Sequence, residues 1–457
     1  MNRTITDERP HFRPPKRALN PYRILLLVVL IMAGIWVLLR IENGSVKPFL
    51  LATPTPTRTA NSLIEEGEAK FNSGDLEGAI TAYQEATNFD PNNARLLSEL
   101  ARIQAYSSSL LSTDAARFQR LKEAVDSANQ AAEINPDETN VQAIRAFVLD
   151  WYAASTLITP QERQTALNDA ESSAVRALQL DAENEQALAF FAEILVDQQK
   201  WTQAEETIQK AVEINPNSMD VQRVYGYVLE SIGDYRLAIE KYQEAARINP
   251  NLTFLYIFIG RNFLSLEVHN RALEMFEKAV QINEQLGVED PIPYIEIAKT
   301  YVRDGEFFIA ALNAEKAITL DPTNPNTYGQ LGTIYTKARN YEGARPAFRC
   351  AVLGCTAEEN QVAQEITGQG VAVQGLPLTS GTVAFYYAQY GSVLAALSRP
   401  NQNFCPEAMS VLGQVRDKYP DDPIFKSIIE ENVAICQLVD QEINPTAIST
   451  STGTPSP

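Results

Sequence analysis

The stretch GEAKFNSGDLEGAITAYQEATNFDP, residues 67–91, decides the fold. Leu63 to Asn72 carries apolar and small residues at helical spacing, and Ser73 and Gly74 interrupt it. Leu76 to Phe89 then resumes the spacing with Ala79, Ala82, Tyr83 and Ala86 on one face. Two helices this short cannot bury their own apolar faces. The hairpin therefore reads as one unit of a stack, in which neighbouring units supply the missing core.

The stack can be followed along the chain. The alanine that opens the second helix recurs as Ala79, Ala124, Ala170, Ala204, Ala238, Ala272, Ala310, Ala344 and Ala408. The steps are 45, 46, 34, 34, 34, 38, 34 and 64, so four equal 34 and the rest read as 34 plus an insertion. The clearest copy runs through Gly226, Gly233, Ala238, Tyr242, Ala245 and Pro250. The next carries Gly260, Ala272, Phe276 and Ala279, and another carries Gly332, Tyr335, Tyr341, Ala344, Phe348 and Ala351. With this period and these residues the chain resembles the tetratricopeptide repeat family. The resemblance covers about residues 61 to 420 and implies an all-α fold, a right-handed superhelix of about nine helix hairpins. Departures weaken single units: Ala182, Glu284 and Thr356 replace the terminal proline, and Ala128, Ile208, Ala314 and Leu412 replace the aromatic residue.

Charge narrows the partners. The 457 residues hold 38 Lys/Arg and 57 Asp/Glu; residues 1–60 account for nine and three of these, leaving 29 against 54, a net of −25. So acidic a remainder argues against nucleic acid as the ligand.

The amino-terminal region has its own organisation. Residues 1–23 carry Arg3, Arg9, Arg13, Lys16, Arg17 and Arg23 with four prolines and read as a basic, disordered head. Ile24 to Leu39 is uncharged; Tyr22, Ile41 and the flanking arginines extend it to about 20 residues, so 24–41 is expected to be a transmembrane helix. The bulky run Val37-Leu38-Leu39-Arg40-Ile41-Glu42 lacks a small-residue cleavage pattern, which argues against removal as a signal peptide. Six basic residues before the run against Arg40, Lys47 and Arg58 after it place the amino terminus in the cytoplasm and the repeats outside. Residues 42–60, rich in Pro and Thr, are a semi-stiff linker, and residues 444–457 a disordered tail.

Units one to eight occupy residues 61–355. Thr159, Pro160 and Glu162 spell a capping-box start for a lengthened second helix in the third unit. The four residues added near Gln285 to Val288 read as a longer turn. In the insertion at 356–381, glycine turns around Val371-Ala372-Val373 predict a small β-hairpin or an ordered loop. Residues 382–443 hold the ninth unit and a capping helix from Asp422 to Ile443. If Ala408 lies on the ninth unit's second helix, Cys405 and Cys436 are level on adjacent antiparallel helices, and a disulfide between them follows. Cys350 and Cys355 lie at a helix end and its exit turn, where a short loop could close. Two bridges suit an extracytoplasmic location; zinc and buried free thiols are the competing readings.

No catalytic, cofactor or metal site is apparent. The two histidines are His11 and His269, the latter expected in an exposed turn, and there is no phosphate-cradling loop or nucleophile elbow. Recognition remains. In the family the resemblance points to, ligands meet positions two, five, six, nine, twelve and thirteen of the repeat. In units four to eight these include Phe190, Arg223, Tyr227, Phe254, Phe258, Arg261, Lys299, Arg303 and Lys337. Glu193, Asp197, Asp220, Glu230 and Glu296 stand among them, so the resemblance implies a mixed groove able to take a peptide bearing carboxylates. Repeats that clamp chaperone termini carry Asn after the first unit's glycine, whereas Glu68 follows Gly67 here. The expected function is a non-enzymatic, membrane-anchored scaffold for protein assembly outside the membrane; the bacterial setting rests on a loose resemblance to anchored repeat proteins of envelope assembly. The alternatives are a cytosol-facing co-chaperone or import receptor, and an accessory subunit of an envelope polysaccharide-processing complex.

Overall fold

The computed structural model describes residues 21–42 and 59–443, which fall into two separate units divided at Arg58 and Thr59. The head up to residue 20, most of the linker and the tail lie outside the described residues. The first unit contains α1 (Pro21–Glu42), whose apolar side chains are exposed. Among the described residues no helix is long and apolar enough to cross a membrane.

The second unit is a solenoid of helix hairpins without strands among its described residues. Its units pair α2 (Ala60–Ser73) with α3 (Leu76–Phe89), α4 (Ala94–Ser108) with α5 (Asp114–Ile134), and α6 (Thr139–Ala153) with α7 (Pro160–Leu180). They continue through α8 (Glu185–Asp197) with α9 (Trp201–Ile214), α10 (Met219–Ser231) with α11 (Tyr235–Ile248), and α12 (Thr253–Ser265) with α13 (His269–Leu286). Next are α14 (Ile292–Asp304) with α15 (Phe307–Leu320) and α16 (Pro325–Lys337) with α17 (Tyr341–Val352). A short α18 (Gln361–Thr367) precedes the ninth pair, α19 (Gly381–Leu397) and α20 (Cys405–Lys418), and α21 (Pro423–Ile443) ends the stack.

Local chemistry sets the helix ends. Asn93, Asn184 and Ser218 accept backbone N–H bonds at the starts of α4, α8 and α10, satisfying donors the first turn leaves open. At α7 the capping box forms: Thr159 accepts from Glu162, Glu162 accepts from Thr159, and Pro160 opens the helix. In units one and four to eight the turn inside the hairpin uses a left-handed residue. Gly233 and Gly305 supply it, yet Gln199, Glu267 and Arg339 take φ of 62°, 60° and 60° at the same place. The added residues near Gln285 extend α13 by about a turn before Gly287 ends it.

Packing within a hairpin depends on one small residue facing one large one. A methyl group on Gly67, Gly226, Gly260 or Gly332 would come within 2.6, 2.7, 2.3 or 2.8 Å of Tyr83, Tyr242, Phe276 or Phe348. In units two, four and seven, where the second helix lacks the ring, the first carries alanine instead of glycine: Ala101 with Ala128, Ala192 with Ile208, Ala298 with Ala314; unit nine keeps glycine, with Gly391 against Leu412. One hydrophobic core runs from Leu63 to Ile259, a second from Ala298 to Val439, and a smaller cluster including Phe276 and Ile297 lies between them.

The insertion is not a β-hairpin. Val373 exchanges both backbone bonds, each 2.9 Å, with Cys355 at the exit of α17, so its partner lies outside the stretch whose alternation suggested a hairpin. The buried Asn360 side chain donates to the Tyr328 hydroxyl (3.0 Å) and the Val371 carbonyl (2.7 Å), fixing the insertion to α16. His269 is not an exposed turn residue: it begins α13, half-buried, and pairs with Asp304.

The superhelix closes on itself. Asn249 donates to the Asn72 side chain at 2.9 Å, across 177 residues, and Gly74 packs against the Asn251 backbone. Ser112 in the turn inside unit two donates to Asp321 in the turn before unit eight.

Candidate functional site

The first helices of units two to six meet in the interior of this closed turn, with Arg223 on α10 at the centre. Its guanidinium donates to both oxygens of Glu193 on α8, at 2.7 and 2.6 Å, and is only 2% exposed. It lies 5.5, 5.4 and 5.6 Å from the ring centres of Tyr106, Phe147 and Trp151, a cation held among π-faces. Trp151 also donates its indole N–H to Glu193 at 3.0 Å. Tyr106 stacks on Phe254, centroids 5.2 Å apart, and its hydroxyl donates to Asp220. Asp220 accepts further bonds from Arg102 (3.2 Å) and Gln186 (2.9 Å).

Electrostatics in this interior are uneven. Burial alone would favour deprotonating Arg223, but the groups around it, Glu193 foremost and Asp220 with it, together outweigh burial and hold the guanidinium charged. Asp150 on α6 is 1% exposed, and its Oδ1 has no hydrogen-bond partner. Burial, then the charges of Asp197 and Glu193, push its carboxyl well above the usual range, against the pull of Arg223. Asp197 is pushed up to about 6, first by burial and also by Glu193, although the Tyr227 hydroxyl donates to it at 2.5 Å.

The residues expected to line a groove therefore divide. Phe190, Arg223 and Phe254 are buried and offer no surface to a ligand in this conformation, because the tight superhelix brings α4 and α6 against α10 and α12. Tyr227 and Phe258 are half-buried. Arg261, Lys299, Arg303 and Lys337 are exposed on α12, α14 and α16. Glu296, buried, accepts from Arg261 at 3.1 Å and Lys299 at 3.0 Å; burial opposes its ionisation, but these two cations bring its carboxyl below the ordinary range. Arg303 and Lys337 have no ion pair among the described residues. Beyond them Phe385, Ile424, Ile435 and Leu438 expose apolar side chains on α19 and α21.

The cysteine sulfurs pair at bonding distance, Cys350 with Cys355 at 2.05 Å and Cys405 with Cys436 at 2.09 Å. No group of His, Cys, Asp and Glu among the described residues is arranged to hold a metal ion. A cleft of about 280 Å³ between α13, α14 and α15 is lined by Tyr294, Ile297, Tyr301 and Ile309, with Lys316 at its edge.

Sequence reasoning missed Arg102, Tyr106, Asp150 and Trp151. Counting from the small residue at position eight, Ala101 or Ala146, they stand at positions nine, thirteen, twelve and thirteen of units two and three. The same register that selected residues in units four to eight, applied two units earlier, contains them.

Comparison with known proteins adds the following. Tetratricopeptide repeat family models match residues 67–105, 163–226, 224–252 and 313–345, so the chain carries these repeats. Similar solved structures include a tetratricopeptide repeat protein of Parabacteroides merdae, at 19% identity and TM-score 0.36, covering 60% of this chain and 98% of that one. A thermophilic TPR protein of Thermus thermophilus shows 14% identity and TM-score 0.37, covering 45% of this chain and 100% of that one. PilF of Pseudomonas aeruginosa shows 18% identity and TM-score 0.37, covering 50% and 98%. No curated protein matches the chain.

Proposed function

We propose that this tetratricopeptide repeat chain is a non-enzymatic scaffold that binds a carboxylate-bearing peptide of a partner protein on the open half of its inner face, between α12 and α21. One observation carries the reading: Arg261, Lys299, Arg303 and Lys337 are exposed on successive first helices of a domain whose acidic residues outnumber its basic ones nearly two to one. Glu296 offsets part of that charge, and Arg303 and Lys337 remain for a ligand's carboxylates. The apolar residues on α19 and α21 would take the peptide's hydrophobic side chains.

In this reading residues 24–41 tether the scaffold, with the repeats outside the cytoplasm. The uncharged run from Ile24 to Leu39, bounded by Arg23 and Arg40, supports the tether. The paired cysteines support the orientation, since disulfides persist in oxidising compartments. Protease shaving of intact cells should remove the repeats; full protection would place them in the cytosol. For the groove, the full chain is extracted in mild detergent and its co-purifying partner identified by mass spectrometry. Arg303→Glu with Lys337→Glu should reduce retention of that partner at least tenfold, and unchanged retention would overturn the site.

A further inference from the structure

We propose that the closed interior of units two to six is a proton-operated latch: protons held on Asp150 and Asp197 keep the first helices closed around Arg223, and their loss lets the helices part and uncover the aromatic lining. The argument starts from charge. Asp150 feels the charges of Asp197 and Glu193 on α8 with only Arg223, already bonded to both oxygens of Glu193, pulling the other way, and Asp150 Oδ1 is buried with no hydrogen-bond partner. A fully ionised set would leave excess negative charge out of water, which is costly without a partner.

The groups facing this set are few. From α4 come Arg102 and Tyr106, both engaged by Asp220; from α6 comes Trp151, bonded to Glu193; from α10 come Arg223 and Tyr227. From α7, Arg163 acts on Asp197; from α11, the buried Tyr242 faces Glu193 and Arg223 while its hydroxyl donates to Glu230 of α10 at 2.9 Å; and α12 contributes the rings of Phe254 and Phe258. None of these supplies a second cation to Asp150, so a proton is the charge compensation the site itself can take.

The sign follows from the direction of the shifts. Asp197 is pushed up to about 6 and Asp150 is raised well above the usual range by burial and its neighbours, whereas an opened, hydrated aspartate titrates near 4. The closed form thus binds protons the open form releases. Closure is strongest below about pH 4, weakens as pH rises through 6, and keeps weakening until Asp150 ionises. Each such group changes the opening equilibrium by about tenfold per pH unit between its two values.

Hydrogen exchange by mass spectrometry on the full chain in detergent, at pH 5 and pH 8 with rates corrected for intrinsic chemistry, tests this. Amides of α6 and α8 should lose at least tenfold protection at pH 8 relative to those of α16 and α17. Asp150→Asn, neutral at both pH values, should keep α6 and α8 protected at pH 8 and flatten the difference. Asp197→Asn, at a less buried position, gives the same reading if the first variant does not fold. Equal protection at both pH values, or variants that retain the full pH dependence, would overturn the latch. The readout needs no ligand, so it stands or falls separately from the peptide site.

Discussion

Gly260 and Phe276 approach so closely that a methyl group at 260 would lie 2.3 Å from the ring. The ring belongs to a packed core and has nowhere to retreat, so Gly260→Ala should destabilise the protein by about 1–3 kcal/mol through overpacking. Unit four solves the same geometry with Ala192 opposite Ile208, both buried. Transplanting that pair as Gly260→Ala with Phe276→Ile should therefore recover part of the loss in urea unfolding, giving a coupling clearly different from additivity. Additive losses would mean that the small and large residues do not choose one another. This complementarity was legible in the sequence as a recurring glycine and a recurring aromatic. Its inverse, alanine where units two, four and seven lack the ring, was legible too, but only once the two positions were known to face each other; unit nine departs from it with Gly391 against Leu412.

At the level of helices, local signals and distant ones fared differently. The start of α7 could be read from Thr159-Pro160-Gln161-Glu162 because a capping box is completed within four residues. The alternation around Val373 was equally local, yet its backbone partner is Cys355, which no period within the insertion identifies. The pairing of Cys405 with Cys436 rests on two helices running antiparallel about a turn, α20 and α21. Closing a 31-residue separation removes unfolded-state freedom on the order of 3–4 kcal/mol. With that bridge formed in the native protein, Cys405→Ser with Cys436→Ser should lower stability by about that amount and raise hydrogen exchange chiefly in α21, which packs on α19 and α20. The bridge between Cys350 and Cys355 closes a far shorter loop, so its removal should cost less. Exchange in α21 that is indifferent to the double substitution would remove the bridge from the account of how the stack ends.

For the repeat domain as a whole, the period announced a stack but not how tightly it winds. Pitch is the sum of small rotations at each interface, and no single residue encodes it. The consequence is large: residues expected to line one open groove are split between a filled interior in units two to six and an exposed basic stretch from α12 onward. The winding also changes how the domain should unfold. An ordinary solenoid has only nearest-neighbour interfaces, so its end units fray first. Here unit one is tied to the turn before unit six through Asn72 and Asn249, and unit two reaches Asp220 of unit five through Arg102 and Tyr106. Amides of α3 and α4 should accordingly exchange as slowly as those of α10 and α11, with one common opening free energy. Tyr106→Leu removes the stacking on Phe254 and the bond to Asp220 while keeping an apolar side chain in place. In that variant α3 and α4 should exchange at least tenfold faster while α16 and α17 stay unchanged. If α3 and α4 already exchange much faster than α10 in the unmodified protein, the contacts across the superhelical turn do not bind the first units to the rest.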